Sequence, residues 1–311
     1  MGIQHRTERS RLAFLVMTFV ALLATIGLLA MWTTAIGTAE AGTGRGSSGG
    51  TAPVSVELDT ITWPAQGEAA VAIEDGPILT SSDEPLPMAS ISKVITALMI
   101  LEARPLELGE SGDSFRITQD DERNYEAAMD SGKSALPVPV GGSLTQYELL
   151  EGMLIGSACN YADLLVQDIW GSDDAFVAAA ADFLDRHDVS GVTMVEPTGF
   201  DPRNTATPAA LIEVGRLALA NPVVAEIVVK QSVDLPGAGQ VENTNDLLAD
   251  PGALGIKTGT LDGYNLLSAR DLTGADGTPR RAFVVVLGQT DDDSRYAAAR
   301  ALYAQVAGLS G

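Results

Sequence analysis

The 311-residue chain is short of histidine, cysteine and positive charge, and each shortage closes a route to function. Only two histidines occur, His5 and His187. His5 precedes a long apolar run, and His187 sits in "DRHDVSG", a polar helix end. A Ser-His-Asp relay therefore has no well-placed histidine to serve it. Cys159 is the single cysteine, which rules out an internal disulfide and a cysteine-built metal site. The ordinary expectation for such a residue is a small buried hydrophobe. Lys and Arg number 19 against 41 Asp and Glu, a formal charge of −22. Phosphate backbones need a basic surface, so nucleic acid is not an expected partner.

Charge is also missing locally. Residues 12–36, "LAFLVMTFVALLATIGLLAMWTTAI", carry none, and a helix of this length spans a bilayer with some tilt. His5, Arg6, Arg9 and Arg11 before it, against Glu8, place residues 1–11 in the cytoplasm. The expected location is a single-pass cell membrane protein whose folded part lies outside the cytoplasm. The alternative is secretion after signal cleavage, since Ala39 and Ala41 offer a small-x-small site near Ala41. Residues 37–55, rich in Gly, Ser and Thr, read as a flexible linker.

The folded part is expected over 56–311. In "EAAVAIEDGPILTSS" (68–82), two apolar runs flank Asp75-Gly76-Pro77 and predict a β-hairpin. Three more strand candidates lie near the other end: "GALGIKTGT", "YNLLSARDL" and "RRAFVVVLG". A closing helix follows, with Tyr296, Ala299, Leu302 and Val306 near helical spacing. Between these ends the chain reads as helical. One helix covers 91–103, Thr145 and Glu148 make a capping box, "DDAFVAAAADFLDRH" is helical, and Thr207-Pro208 starts a further helix that Asn221-Pro222 ends. The expected fold class is α/β of the α+β kind. A five-stranded antiparallel sheet from both chain ends (56–89 and 250–311) is flanked by terminal helices, with a mostly helical part (90–249) inserted.

Three constellations carry chemistry. In "PMASISKVITALM" (87–99), Ser90 and Lys93 are three apart and share a face if the helix begins near Ser90. A serine hydroxyl is a weak nucleophile until a base takes its proton, and lysine is such a base only when its pKa is depressed. S-x-x-K arises by chance about once in a chain of this length, so Ser90 as a helix cap and Lys93 as a solvated residue stay open. "GIKTGT" (255–260) places Lys257, Thr258, Gly259 and Thr260 on a strand: a charge for a carboxylate, two hydroxyls, and a glycine that admits a close backbone approach. An exposed strand with an incidental lysine is the bland alternative. In "IGSACNYADLL" (155–165), Ser157 stands between two helices, as a proton relay or as a simple cap.

The ordered set S-x-x-K, an S-x-N-type element and K-T-G, 67 and then 100 residues apart, resembles serine-type D-alanyl-D-alanine carboxypeptidases, the low-molecular-mass penicillin-binding proteins. The resemblance spans roughly 60–305 and includes "ASISKVITALMILEA", "EPTGFDPRNTATPAALIEVGRLAL" and "NTNDLLADPGALGIKTGTLDGY". It implies that Ser90 is acylated by the penultimate D-Ala of a peptidoglycan pentapeptide, with Lys93 as base and Ser157 as proton relay. Lys257 would set the electrostatics, Thr258 and Thr260 would hold the terminal carboxylate, and the N–H groups of Ser90 and Thr260 would form the oxyanion hole. β-Lactam antibiotics would be covalent inhibitors. No metal or cofactor is implied.

One position departs from the pattern: Cys159 stands where the family carries Asn, with Asn160 one residue late. A thiol hydrogen-bonds weakly where an amide does so strongly. Three consequences are open: a tolerated cysteine with a reduced rate, substitution by Asn160, or a protein that binds peptidoglycan as a sensor or scaffold without turnover. A β-lactamase is the remaining rival. It needs an added base, for which Glu196 is the one candidate, although its segment "EPTGFDP" lacks the E-x-x-L-N pattern of class A enzymes.

Overall fold

A computed structural model describes residues 61–273 and 277–309. The expected cytoplasmic tail, membrane span and linker lie outside these residues. Among the described residues, no helix is long and apolar enough to cross a membrane.

The predicted hairpin forms. Strand β1 (Glu68–Ile73) pairs antiparallel with β2 (Leu79–Thr80), placing Val71 opposite Leu79. After β3 (Leu86–Pro87), a 3-10 turn, Ala89–Ile91, feeds helix α1 (Ser92–Ala103). Its residues Ser92 to Leu101 are all buried. A helix apolar around most of its circumference belongs in an interior, and α1 is the central rod of the helical part. Around it lie β4 (Ser114–Arg116), α2 (Gln119–Asp130), β5 (Ser143–Thr145), α3 (Gln146–Leu154), α4 (Cys159–Trp170) and α5 (Asp173–Arg186). The capping box opens α3: the Glu148 carboxylate accepts from Thr145 N at 2.7 Å, and Thr145 Oγ1 accepts from Glu148 N at 3.2 Å. Strands β6 (Val192–Thr193) and β7 (Thr205–Ala206) bracket a loop. Thr207 then caps α6 (Pro208–Ala220), and Asn221 caps α7 (Pro222–Val228). A second hairpin, β8 (Ser232–Leu235) with β9 (Gly239–Glu242), precedes the last three strands.

These are β10 (Ala253–Thr260), β11 (Tyr264–Thr273) and β12 (Pro279–Gln289), followed by α8 (Asp292–Leu309). The sheet order is β10-β11-β12-β1-β2, antiparallel throughout, so both ends of the folded part meet at β12 and β1. Alternate residues of β12 serve two cores. Val284 and Val286 pack with Tyr296, Ala299, Leu302 and Val306 of α8, while Phe283, Val285 and Leu287 join the larger helical core. A strand buried on both faces needs an unbroken apolar run, which explains "AFVVVLG". The C-terminal helix covers one face as expected. The other face is covered by α6, from the middle of the chain, which therefore belongs to the sheet layers as well as to the helical part.

Leu302 is 1% exposed between α8 and the sheet. Leu302→Ala is expected to destabilise the fold by about 2–5 kcal/mol, read as a lower Tm in thermal unfolding. A Tm equal to the parent's contradicts the two-sided sheet.

Candidate active site

The serine of the first constellation does not cap a helix. The cap residues are Met88 for the 3-10 turn and Ile91 for α1, and neither helix start has a side-chain cap bond. Ser90 instead receives the Lys93 amine: Nζ lies 2.9 Å from Ser90 Oγ and donates to the Thr198 carbonyl at 2.7 Å. Lys93 is fully buried and forms no ion pair among the described residues. Its neighbour Ser92 points elsewhere, accepting from Asn204 Nδ2 at 3.1 Å. The spacing of three works because the 3-10 turn runs straight into α1, stacking residue 90 over residue 93. An amine held this way takes a hydroxyl proton once it is neutral, which makes the serine a nucleophile.

The approach to Ser90 is tight. Ala89 adopts a positive φ of 49°, and Gly199 packs against it so closely that a Cβ there would lie 1.8 Å from the Ala89 carbonyl oxygen. From the sheet side, a Cβ on Gly259 would lie 2.7 Å from the Met88 carbonyl oxygen and 3.2 Å from Ser90 N. The sequence suggested that Gly259 admits a substrate backbone. In the structure, what comes close is the chain's own nucleophile turn. Among the described residues β10 is also an edge strand, so its outer side carries backbone N–H and C=O groups with no strand partner there.

Lys257 is 1% exposed and donates to its neighbour's carbonyl, Thr258 O, at 3.2 Å. Burial holds its pKa well below the ordinary lysine value, Lys93 and Arg295 push it further down, and Cys159 opposes them. Lys93 of α1, Cys159 of the middle motif and Arg295 of α8 thus each lie within electrostatic reach of Lys257 on β10. Thr258 Oγ1 lies 2.6 Å from Thr244 Oγ1, and Thr260 Oγ1 accepts from Arg295 at 3.1 Å. Arg295 was missed in the sequence. It is 4% exposed, is paired with Asp292, and lies 5.6 Å and 4.9 Å from the Tyr264 and Tyr296 ring centroids. Its signal was an arginine in the first turn of a helix, where the macrodipole disfavours a cation and a specific partner is needed.

Ser157 is 5% exposed with a positive φ of 59°, a costly conformation for a residue other than glycine. It is not the cap of α4 either, since that position is Ala158. Cys159 opens α4, 3% exposed, its backbone N donating to Ser134 O at 2.8 Å. Asn160 cannot replace the absent amide. Its Nδ2 donates to Leu136 O at 2.8 Å and its Oδ1 accepts from Leu136 N at 3.1 Å, so both ends fasten the preceding loop. A cavity of about 550 Å³ opens beside this segment, lined by Lys133, Asn160, Asp163 and Glu196 among others.

A serine hydroxyl on a buried amine, beside an edge strand and two further cations, defines an acyl-transferring serine enzyme. The comparisons specify which kind. The profile of the D-alanyl-D-alanine carboxypeptidase family matches residues 58–290, and the chain belongs to that family. It is 28% identical over 235 residues to the D-alanyl-D-alanine carboxypeptidase DacB2 of Mycobacterium tuberculosis, covering 72% of this chain and 74% of that protein. Among solved structures it resembles the peptidoglycan synthesis regulatory factor PBP3 of Streptococcus pneumoniae, with 27% identity and TM-score 0.66, covering 79% of this chain and 73% of that one. It also resembles penicillin-binding protein D2 of Listeria monocytogenes in its cefotaxime-bound form, with 25% identity and TM-score 0.64, covering 79% and 98%. The chain is a serine-type carboxypeptidase of this family.

Two outcomes follow from the geometry. Gly259→Ala is expected to push β10 off the nucleophile turn and cut the acylation rate at Ser90 by about 100-fold, since misplacements near 1 Å cost that much; an unchanged rate rules out the close packing. For Lys257 the lowered pKa means that the unfolded chain binds the proton more readily than the folded one, from the lowered value up to about 10.4. The burial penalty is therefore complete below that window and is relieved as pH rises through it. Lys257→Met is expected to have the higher Tm at neutral pH, with the gap closing towards pH 10. A pH-independent gap contradicts the assignment.

Proposed function

We propose that the protein trims the terminal D-alanine from peptidoglycan stem pentapeptides through an acyl-enzyme on Ser90. The observation that carries this reading is the Lys93 amine, fully buried and within hydrogen-bonding distance of both Ser90 Oγ and the Thr198 carbonyl. Ser90 Oγ attacks the carbonyl of the penultimate D-Ala as Lys93 takes its proton. The oxyanion is held by the N–H groups of Ser90 and Thr260. Collapse expels D-alanine, whose amine receives a proton relayed through Ser157, and water hydrolyses the ester. The terminal carboxylate lies at the end of β10, where Thr258, Thr260 and Arg295 offer donors and Lys257 sets the potential. β-Lactams acylate Ser90 in the same way, and their leaving amine stays tethered.

Glu196 weighs against the β-lactamase reading. Its carboxylate accepts from Thr198 N, Thr198 Oγ1, Gly199 N and Asn204 Nδ2 at 2.8, 2.6, 2.5 and 3.0 Å. An acid with its lone pairs taken up in its own loop is not a free base for a deacylating water. The binding-only reading rests on Cys159 alone. Residues 12–36, uncharged and 25 long, support a membrane tether that holds the enzyme outside the cytoplasm at its substrate. Recovery in the soluble fraction at full length contradicts that tether.

Purified protein is expected to release D-alanine from a pentapeptide and to form a lasting adduct with nitrocefin rather than hydrolyse it rapidly. Release without an adduct, or rapid nitrocefin turnover, contradicts the reading. Cys159→Asn is expected to fold and to raise turnover, because an amide gives substrate the strong hydrogen bonds a thiol lacks. An unchanged or lower rate removes Cys159 from the substrate-facing surface.

A further inference from the structure

The bonds of the Glu196 carboxylate converge on the backbone segment whose carbonyl meets the Lys93 amine. Oε2 accepts from both Thr198 N and Thr198 Oγ1, at 2.8 and 2.6 Å. Oε1 accepts from Gly199 N at 2.5 Å, from Asn204 Nδ2 at 3.0 Å and from Asp201 N at 3.5 Å. Asn204 closes the clasp: its Oδ1 accepts from Val195 N at 2.7 Å, and its Nδ2 also donates to the Glu196 carbonyl at 2.8 Å. The folded loop presents two consecutive carbonyls to α1. Pro197 O accepts from Thr96 Oγ1 at 2.7 Å, and Thr198 O accepts from Lys93 Nζ at 2.7 Å. Lys93 and Thr96, three apart, share the helix face that receives them.

A lysine side chain has four rotatable bonds, and the Lys93 amine has no ion pair among the described residues. The Thr198 carbonyl is the acceptor, other than Ser90 itself, that aims it. We infer that Glu196 is a positioning residue for the general base: by holding the 196–204 loop it fixes the Thr198 carbonyl, and through it the orientation of the Lys93 amine towards Ser90. Its carboxylate bonds to Thr198, Gly199, Asp201 and Asn204 rather than to Ser90 or Lys93. The inference rests on the serine acyl-transfer reading of this site and assigns part of its rate to a carboxylate outside the three motifs.

The test measures acylation by a fluorescent penicillin at several concentrations, which separates the saturating rate from the half-saturating concentration, and titrates the fraction of reactive Ser90. In Glu196→Gln, an amide N–H₂ faces the Thr198 N–H donor and the loop loosens. The saturating rate is expected to fall about 10- to 100-fold, with the half-saturating concentration and the titre near those of the parent. Thr198→Val, which keeps the Glu196 charge and removes the 2.6 Å bond to it together with the 3.4 Å bond that Thr198 Oγ1 accepts from Phe200 N, is expected to show a smaller loss of the same kind. That second variant decides the matter if Glu196→Gln does not fold. Glu196→Asp retains a carboxylate and is expected to recover part of the rate. A lowered titre with a parental rate in the remaining fraction, or a parental rate in Thr198→Val when Glu196→Gln does not fold, overturns the inference. Failure of the parent protein to label at Ser90 is a different result: it removes the acyl-transfer reading itself and this inference with it.

Discussion

The structure turns on one unfavourable placement, an amine fully removed from water and held between a serine hydroxyl and a peptide carbonyl. Burying an ammonium without a carboxylate is costly, and the cost is relieved when the group gives up its charge or finds strong acceptors. Lys93 has Ser90 Oγ and Thr198 O. Much of the fold serves to keep these three atoms in register. Helix α1 is buried from Ser92 to Leu101, so its axis is fixed from all sides. The edge strand β10 presses on the nucleophile turn at Gly259, and Gly199 presses on it from the loop after β6.

Around this contact the chain gathers further cations although its net charge is −22. Lys257 comes from the sheet and Arg295 from the first turn of the last helix, and Lys257 feels the charges of both Lys93 and Arg295. The neighbouring positive groups disfavour the charged form of Lys257, and an anionic group bound there favours it. A peptide that ends in a free carboxylate suits such a site better than an internal peptide segment. The same arrangement explains why the hydroxyls of Thr258 and Thr260 sit beside donors and a second hydroxyl rather than beside acidic groups.

Local signals were legible where local physics decides them. The Ser90–Lys93 spacing, the Thr145–Glu148 capping box, the Thr207-Pro208 helix start and the Asp75-Gly76 turn all depend on neighbours within four residues, and all appear as read. The five-stranded sheet was legible because two-sided burial leaves continuous apolar runs. Contacts between distant segments left no comparable trace. Thr198 lies 105 residues from Lys93, and its part in the site is played by a backbone carbonyl, which carries no residue identity. The cover that α6 provides for the sheet could not be told from membership of the helical part, since its apolar face reads alike in both. Gly259 shows the limit most plainly: the sequence indicated that something approaches closely there, and only the fold reveals that it is the Met88–Ser90 backbone.

The dependence of Ser90 chemistry on the Lys93 amine is best tested by intact-mass analysis of the protein after brief exposure to benzylpenicillin, with the adduct mapped to a peptide, in parallel with Lys93→Met. The account predicts one adduct on Ser90 in the parent and none in the variant, whose circular dichroism stays native because methionine fills the same buried channel. A parental rate of adduct formation in Lys93→Met, or an adduct on any residue other than Ser90, contradicts it.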